Sequence, residues 1–228
     1  MARFKRFTVV SKIYNSGVIP LFYEEDVATA LKIIDSCANA GIDVIEFTNR
    51  GDLAYLVFIE CEKYIRTKYP HIVLGIGSVL DSETAGLYIN NGASFVVSPS
   101  FDKKTAFLCN MRMIPYIPGA ATMTEIQQAN KYGSEIIKLF PGAQIGGASF
   151  VKDILAPVPH LSLMPTGGVL PTEGSLEEWY KSGVCCVGMG AKLIVKDFVI
   201  RNEFDTLTSH IQKTKEIAMK MLKKYSAL

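Results

Sequence analysis

The sequence has few of the residues that form metal sites or disulfide frameworks. Its three histidines lie far apart, and its five cysteines include no C-x-x-C pair. These residues are His71, His160 and His210, with Cys37, Cys61, Cys109, Cys185 and Cys186. An odd number of cysteines in this arrangement is typical of reduced thiols packed in a core. We therefore expect a cytoplasmic protein without a metal or other cofactor, although these spacings do not address a metal site built from distant carboxylates.

The sequence also lacks a strong excess of charge and a long apolar run. The formal net charge is +2, and the basic residues are scattered along the chain. Nucleic-acid binding requires clustered basic residues, and a membrane-spanning helix requires about 20 apolar residues in succession. Basic residues at positions 3, 5 and 6 precede an apolar stretch that Lys12 and Asn15 interrupt, which is unlike a signal peptide. We expect no nucleic-acid partner, no membrane segment and no targeting signal.

What the sequence does contain is a regular alternation of apolar strand-like segments and amphipathic helices. Eight such strands start at intervals of about 18 to 28 residues. They are predicted at residues 17–21, 44–47, 72–76, 95–97, 113–117, 136–139, 161–165 and 185–188. Eight strand–helix units favour one α/β domain, residues 1–228, folded as a closed (β/α)8 TIM barrel.

Helical periodicity adds one element at each end of this series. Apolar residues at steps of three and four predict an N-terminal capping helix over the bottom of the barrel, and they are Phe4, Phe7, Val10 and Tyr14. A similar pattern over residues 204–222 predicts a C-terminal helix that closes the outer ring or meets a neighbouring subunit.

Several helix starts carry capping residues. Asp26 is predicted to cap the helix after the first strand. Thr122-x-x-Glu125 and Ser175-x-x-Glu178 have the spacing of capping boxes, in which each side chain satisfies the other residue's free backbone amide. These signals support helices after the first, fifth and seventh predicted strands.

Four of the strands follow a glycine at the same spacing. The segments are Gly41–Glu46, Gly92–Val97, Gly133–Lys138 and Gly183–Gly188, which we take as the second, fourth, sixth and eighth strands. In such barrels, alternate strands contribute side chains to one interior layer. Matched positions after matched glycines therefore predict that Glu46 and Lys138 lie at the same height, near the carboxyl ends of the strands.

Lys138 is the centre of a catalytic hypothesis. It lies among apolar side chains at positions 136, 137, 139 and 140, and their packing removes water from the ammonium group and favours the neutral amine, which is a nucleophile. The simpler interpretation is a structural ion pair with Glu46 as the partner. Because desolvation often offsets the attraction within a buried ion pair, a pair in register on apolar strands favours catalysis.

Loops at the carboxyl ends of the predicted strands supply candidate binding residues. Arg50 follows the second strand, and its guanidinium can hold a carboxylate with two parallel hydrogen bonds. Ser78, in Gly75-x-Gly-Ser78, can donate to the same carboxylate, while the two glycines leave room for it. Pro165–Val169 and Gly188–Gly190 follow the last two strands, where barrels bind phosphate through backbone amides. Each feature alone is as typical of ordinary loops, but together they favour an anion site.

In order and spacing, these motifs resemble the 2-keto-3-deoxy-6-phosphogluconate (KDPG) aldolase and 4-hydroxy-2-oxoglutarate (KHG) aldolase family. The resemblance runs from Gly17 to Val195. Its segments are Gly17-Val-Ile-Pro20, Gly41-Ile-x-Val-Ile-Glu46, Gly75-x-Gly-Ser78-Val, Ser98-Pro99, Pro118-Gly-Ala-Ala-Thr122, Ile137-Lys-Leu-Phe-Pro141 and Pro165-Thr-Gly-Gly-Val169. It implies that Lys138 forms a Schiff base and that Glu46 moves protons. It also implies a homotrimer, and a pyruvyl end surrounded by Arg50, Ser78, Pro99 and Phe140.

The chain departs from this family at the far end of the substrate. Where the family usually has a hydroxyl residue after the last strand, this chain has Ala191, followed by Lys192. Ser78 replaces a common threonine but keeps the hydrogen-bond donor. The segment Leu170–Gly174 is also unusual. These departures leave the lyase chemistry intact and leave open whether the substrate carries a phosphate.

We therefore predict a class I aldolase that cleaves a 4-hydroxy-2-keto acid to pyruvate and an aldehyde. The residues predicted to bind the far end or its phosphate are Thr166, Gly167, Gly168 and Gly190. One alternative is a sugar-phosphate isomerase or epimerase with Glu46 as the base, although no histidine lies near a strand end. The other is a non-catalytic barrel that binds a phosphorylated ligand, against which the joint presence of Glu46, Arg50 and Lys138 argues.

Overall fold

The computed structural model of the protein describes residues 3–225 and contains nine strands and ten helices within them. The strands are β1 (Val18–Phe22), β2 (Val44–Thr48), β3 (Val73–Gly77), β4 (Val96–Val97), β5 (Tyr116–Ile117), β6 (Gly119–Ala120), β7 (Ile137–Leu139), β8 (Leu163–Pro165) and β9 (Val187–Met189). The helices are α1 (Arg6–Tyr14), α2 (Val27–Asn39), α3 (Ala54–Lys68), α4 (Ser82–Asn90), α5 (Lys103–Met111), α6 (Met123–Lys131), α7 (Gly147–Leu155), α8 (Glu173–Lys181), α9 (Lys196–Ile200) and α10 (Phe204–Tyr225).

Every pair of neighbouring strands is parallel, and the strands form two sheets. One has the order β5-β4-β3-β2-β1-β9 and the other β6-β7-β8. Only Pro118 separates β5 from β6, and proline has no backbone N–H to donate to a strand pairing. The fifth predicted strand, residues 113–117, therefore contains β5 alone, and β6 lies just beyond it. Beyond β8, a single parallel bridge joins Thr166 to Gly188 of β9. The chain therefore has an α/β fold built on a curled parallel sheet.

The predicted N-terminal helix is present as α1, but its buried face differs from the prediction. Val9 and Ile13 are fully buried, whereas Phe7 is 83% exposed. Residues four apart share one side of a helix, and Phe7 lies almost opposite Val9. Val9 and Ile13 pack with residues at the amino ends of the strands, such as Val44 and Val73. The helix thus covers the bottom of the sheet, while the inclusion of Phe7 in its buried face was wrong.

Of the two predicted capping boxes, one is confirmed and one is wrong. Thr122 accepts from the Glu125 amide, and Glu125 accepts from the Thr122 amide, at the start of α6. The other helix, α8, begins earlier, because Thr172 is extended and its hydroxyl accepts from the amide of Ser175. Ser175 therefore lies inside the first turn instead of at the cap. Asp26 caps α2 as predicted, with its carboxylate accepting from the Thr29 amide.

The glycine repeat marks the turns that lead from helices into strands. Gly41, Gly92, Gly133 and Gly183 all have positive φ, between 75° and 106°. A side chain disfavours this conformation, which explains why the same residue recurs before alternate strands. Two apolar clusters follow from the architecture, one between the helices and the sheet and the other inside the curled sheet.

Two further features concern the predicted location. All five cysteines are free thiols, and four of them are buried. Among residues 3–225, no helix is both long and apolar enough to cross a membrane.

Candidate active site

Glu46 and Lys138, the predicted catalytic pair, are both buried inside the curled sheet. Glu46, on β2, is 1% exposed, and Lys138, on β7, is 6% exposed. Burial raises the pKa of the Glu46 carboxyl above its usual value, while the positive charge of Lys138 and then that of Arg50 act in the opposite direction. Within residues 3–225, neither buried side chain is hydrogen-bonded or ion-paired to another residue. Both groups are therefore close enough to interact and free to act on a ligand.

The glycines at the end of β3 have a different role from the one predicted. A Cβ at Gly77 would lie 1.8 Å from Glu46 Oε1, so the missing side chain is what lets the Glu46 carboxylate occupy its position. A Cβ at Gly75 would lie 2.4 Å from the ring of Phe95. The space that we assigned to a substrate carboxylate is thus filled by Glu46 and Phe95, and that interpretation was wrong.

The predicted residues of the pyruvyl end form a rim around the buried pair. Arg50 Nε lies 3.5 Å from Ser78 Oγ, so the two proposed carboxylate ligands meet across the β2 and β3 loops. The Phe140 ring centroid lies 5.1 Å from Lys138 Nζ. The carbonyl of Pro99 lies over Gly119, which is paired in register with Lys138. Phe140 and Gly119 therefore lie beside the lysine, while Arg50, which contacts Ser78, acts on the charge of Glu46.

A cavity of about 740 Å³ lies at the carboxyl ends of β1, β8 and β9. Its wall contains all four residues predicted to bind the far end of the substrate, which are Thr166, Gly167, Gly168 and Gly190. Arg50 and Phe140 also line it, whereas Glu46, Lys138, Ser78 and Pro99 do not. The predicted site thus consists of a buried reacting pair, a rim and an adjoining cavity, with Arg50 and Phe140 common to the rim and the cavity.

The segment after β8 presents hydrogen-bond donors to this cavity. Gly167 and Gly168 have φ values of 91° and 81°, and neither amide donates to another residue in the described part of the chain. Thr166 is 6% exposed, and its Oγ1 has no partner among residues 3–225. A Cβ at Gly188 would lie 2.4 Å from this oxygen. Buried polar groups without partners are uncommon, which favours a ligand-binding role here.

Three side chains at the site were not predicted. Thr48 is 1% exposed, and its Oγ1 has no partner within the range 3–225. It follows Glu46 by two residues, so the strand period of two places both on the same face, and this spacing was a signal in the sequence. Glu24 and Glu25 line the cavity. Their signal was the acidic run that directly follows the first strand.

Comparison with known proteins places this geometry in a family. The sequence model of the KDPG and KHG aldolase family matches residues 9–210. The chain is 29% identical over 210 residues to a 2-dehydro-3-deoxy-phosphogluconate aldolase of Treponema pallidum, covering 92% of this chain and 97% of that protein. It is 27% identical over 202 residues to the KHG/KDPG aldolase of Escherichia coli K12, covering 88% and 92%.

Solved structures have the same fold. A crystal structure of KDPG aldolase from Legionella pneumophila matches with a TM-score of 0.81 and 26% identity, and the match covers 90% of this chain and 96% of that one. In that crystal, pyruvate was captured at low pH as a covalent carbinolamine intermediate. A carbinolamine forms when an amine adds to a ketone, the first step of Schiff-base chemistry.

Proposed function

The chain belongs to the KDPG and KHG aldolase family, and we propose that it is a class I aldolase, a lyase that works through a Schiff base. Its proposed substrates are 4-hydroxy-2-keto acids, namely KDPG, 4-hydroxy-2-oxoglutarate or both. Cleavage yields pyruvate together with glyceraldehyde 3-phosphate or glyoxylate, without a metal. The observation that carries the proposal is a buried lysine without a structural partner, Lys138, whose charge acts on an equally buried carboxyl, that of Glu46.

In the proposed reaction, the Lys138 amine gives up its proton and attacks the C2 ketone of the substrate. The carbinolamine takes up a proton and loses water to give a protonated imine, which draws electrons from the adjacent C3–C4 bond. Glu46 takes the proton of the C4 hydroxyl, the C3–C4 bond breaks, and the aldehyde leaves. The remaining enamine is protonated at C3, and water then hydrolyses the imine to release pyruvate and regenerate the amine.

The environment of Glu46 suits this step. Its raised pKa makes the carboxylate a stronger base than an exposed glutamate, and general-base catalysis is most efficient when the pKa approaches the working pH. Gly77 allows the carboxylate to lie in the interior without a clash. The base is therefore held in place by packing instead of by a hydrogen bond that would compete with the substrate proton.

The remaining residues are proposed to orient the substrate. Arg50 and Ser78 would bind the C1 carboxylate, and Pro99 and Phe140 would limit the space around the imine. Thr166, Gly167, Gly168 and Gly190 would contact the far end, which the cavity accommodates. In this arrangement, the C1 carboxylate lies at the rim and the far end lies in the cavity, so C2, C3 and C4 lie between them.

Steady-state pyruvate release tests the proposal. Lys138→Met keeps the apolar packing and removes the amine, so kcat is expected to fall to the background rate. Lys152→Met, on the solvent-facing side of α7, is the matched control and should retain wild-type kcat/KM. Pyruvate release by Lys138→Met at the wild-type rate would contradict the proposal.

We also propose a closed (β/α)8 barrel as a single domain spanning residues 1–228, of which 1–2 and 226–228 lie outside the described structure. The Thr166–Gly188 bridge and the single residue between β5 and β6 support closure, because together they connect the two sheets at both edges. The free thiols support a cytoplasmic location.

A homotrimer is proposed as the assembly. Large apolar side chains are exposed on and near α4 and α5, which is typical of surfaces that meet a partner. They are Leu80 at 68%, Phe107 at 56%, Met111 at 80% and Met113 at 62% exposure. Sedimentation velocity is expected to give three times the chain mass of 25.1 kDa.

A further inference from the structure

The wall of the cavity next to β1 is acidic. Glu24 and Glu25 follow β1 and line the cavity, and Asp26 comes next at the cap of α2. Glu24 Oε1 accepts from the amides of Glu25 and Asp26 at 3.0 and 3.1 Å. The carboxylate is therefore fixed at the wall by two backbone donors, and its second oxygen, Oε2, accepts no hydrogen bond from residues 3–225.

The lysines of the same cavity form no ion pair with this acidic wall in the described part of the chain. Lys192 and Lys196 also line the cavity, and both are exposed. Neither forms an ion pair with Glu24 or Glu25 in the described part of the chain. With Arg50 reserved for the carboxylate at the other end, the distal part of the cavity carries two acidic and two basic side chains. It therefore has no excess of positive charge with which to hold a phosphate dianion.

The segment after β8 offers donors to the same cavity. Gly167 and Gly168 line it, and their amides are free within the described range. The lining of the cavity thus contains acceptors from Glu24 and donors from the glycine amides. A hydroxyl group can both donate and accept hydrogen bonds, so it can use both. A phosphate dianion only accepts, so the Glu24 carboxylate offers it nothing and repels it.

The amides at the start of α2 do not alter this conclusion. A helix N-terminus attracts anions through its free N–H groups. Here Glu24 occupies the amide of Asp26, and the Asp26 carboxylate accepts from the amide of Thr29 at 2.8 Å. The helix is therefore already capped by carboxylates of its own chain. Ala191, on the β9 side, adds no hydroxyl that would bind phosphate.

From this arrangement, and on the basis of the proposed function, we infer that Glu24 is a specificity-determining residue. Its free oxygen accepts a hydrogen bond from a hydroxyl on the distal carbon chain of the substrate. The substrate class that fits is an unphosphorylated polyhydroxy 2-keto-3-deoxy acid. The enzyme cleaves this acid with a kcat/KM close to that for its 6-phosphate. The attraction of the phosphate to the glycine amides is offset by its repulsion from the Glu24 carboxylate.

The test compares kcat/KM for 2-keto-3-deoxygluconate and for its 6-phosphate. In the wild type, the two values are expected to lie within about tenfold of each other, because attraction and repulsion at the distal wall offset one another. Glu24→Gln retains an oxygen that accepts from the two loop amides but removes the charge. This variant is expected to shift the ratio towards the phosphorylated substrate by about tenfold. A wild-type preference for the phosphate above a hundredfold, or an unchanged ratio in Glu24→Gln, overturns the inference.

Inorganic phosphate provides a second readout that needs no distal chain. As a competitive inhibitor, it is expected to bind more tightly to Glu24→Gln than to the wild type, and equal inhibition constants contradict the inference. Glu216→Gln, which changes an exposed acidic residue on α10, is the matched control. It should change neither the ratio of the two kcat/KM values nor the inhibition constant of phosphate. Borohydride trapping of pyruvate separates the two levels of the argument. Failure to trap pyruvate overturns the proposed function and this inference together, whereas trapping with an unchanged substrate ratio overturns this inference alone.

Discussion

Gly77 provides a test of the catalytic base that leaves both charged residues in place. A Cβ at this position would lie 1.8 Å from Glu46 Oε1 and 2.6 Å from its Cδ, while ordinary contacts begin at 3.4 Å. The Glu46 carboxylate must therefore withdraw by the difference, about 1.6 Å, when Gly77 is replaced by alanine. Displacement of a catalytic group by about 1 Å can cost a factor of about 10² in rate. We expect Gly77→Ala to lower kcat/KM by at least this factor, or about 2.7 kcal/mol of transition-state stabilisation.

The same change should affect stability little. The clashing atoms are the end of a flexible side chain, and the φ angle of Gly77 is not positive, so the backbone accepts alanine. The free energy of unfolding is expected to change by less than about 1 kcal/mol. Gly75→Ala provides a contrast, because its Cβ would lie 2.4 Å from the fully buried Phe95 ring, which has no space into which to move.

The assay is pyruvate release, with urea unfolding as the measure of stability. Gly86→Ala, within α4, is the control. Its Cβ would meet only Leu108 Cδ2, at an ordinary contact distance of 3.6 Å. It should retain full activity and gain about 0.5–1 kcal/mol, because alanine favours a helix over glycine. Wild-type kcat/KM in Gly77→Ala would refute the assignment of Glu46 as the base, and unfolding of the variant would refute the claim that the side chain can withdraw.

Two further variants test the interior of the site. Relative to the wild type, Glu46→Gln is expected to raise the free energy of unfolding at pH values above the folded-state pKa of Glu46 and to lose this advantage in acid. The raised pKa means that the folded protein holds the proton of Glu46 more tightly than the unfolded chain does. The stability due to Glu46 is therefore full below its ordinary pKa of 4.5 and is lost as the pH rises through the folded-state pKa. Urea unfolding of both proteins at several pH values checks this, and a pH-independent difference in unfolding free energy would contradict it. Thr48→Val should lower kcat by about tenfold without loss of stability, because it removes a buried hydroxyl that lacks a protein partner. Thr48→Ser should restore the rate, and full activity in the valine variant would exclude a role for this hydroxyl.

The central pairing was predictable because it depends on regular periods. Side chains alternate along a strand, and matched glycines set matched heights, so Glu46 and Lys138 share the interior on local rules alone. The same reasoning would have found Thr48, two residues after Glu46. Loop positions such as Arg50 and Ser78 followed from the rule that active sites lie at the carboxyl ends of parallel strands.

The predictions that were wrong depended on competition or on long-range contacts. Thr172 caps α8 instead of the predicted Ser175, because the helix begins three residues earlier than the capping-box spacing indicates. Gly75 and Gly77 make room for Phe95 and Glu46, which reach them from neighbouring strands. The exposure of Phe7 depends on how α1 rotates against the strand ends, where Val9 and Ile13 pack better. Packing between segments that are distant in the sequence determines such features, and a local sequence pattern contains no information about that packing.

The most direct test of the central claim is reductive trapping with pyruvate and sodium borohydride, followed by peptide mass mapping. The peptide that contains Lys138 is expected to gain the mass of a reduced pyruvyl group in the wild type. Glu46→Gln should still be trapped, because it retains the amine, and Lys138→Met should not. Modification of a different lysine, or no modification under conditions in which the enzyme turns over, would contradict the assignment of Lys138 as the Schiff-base residue.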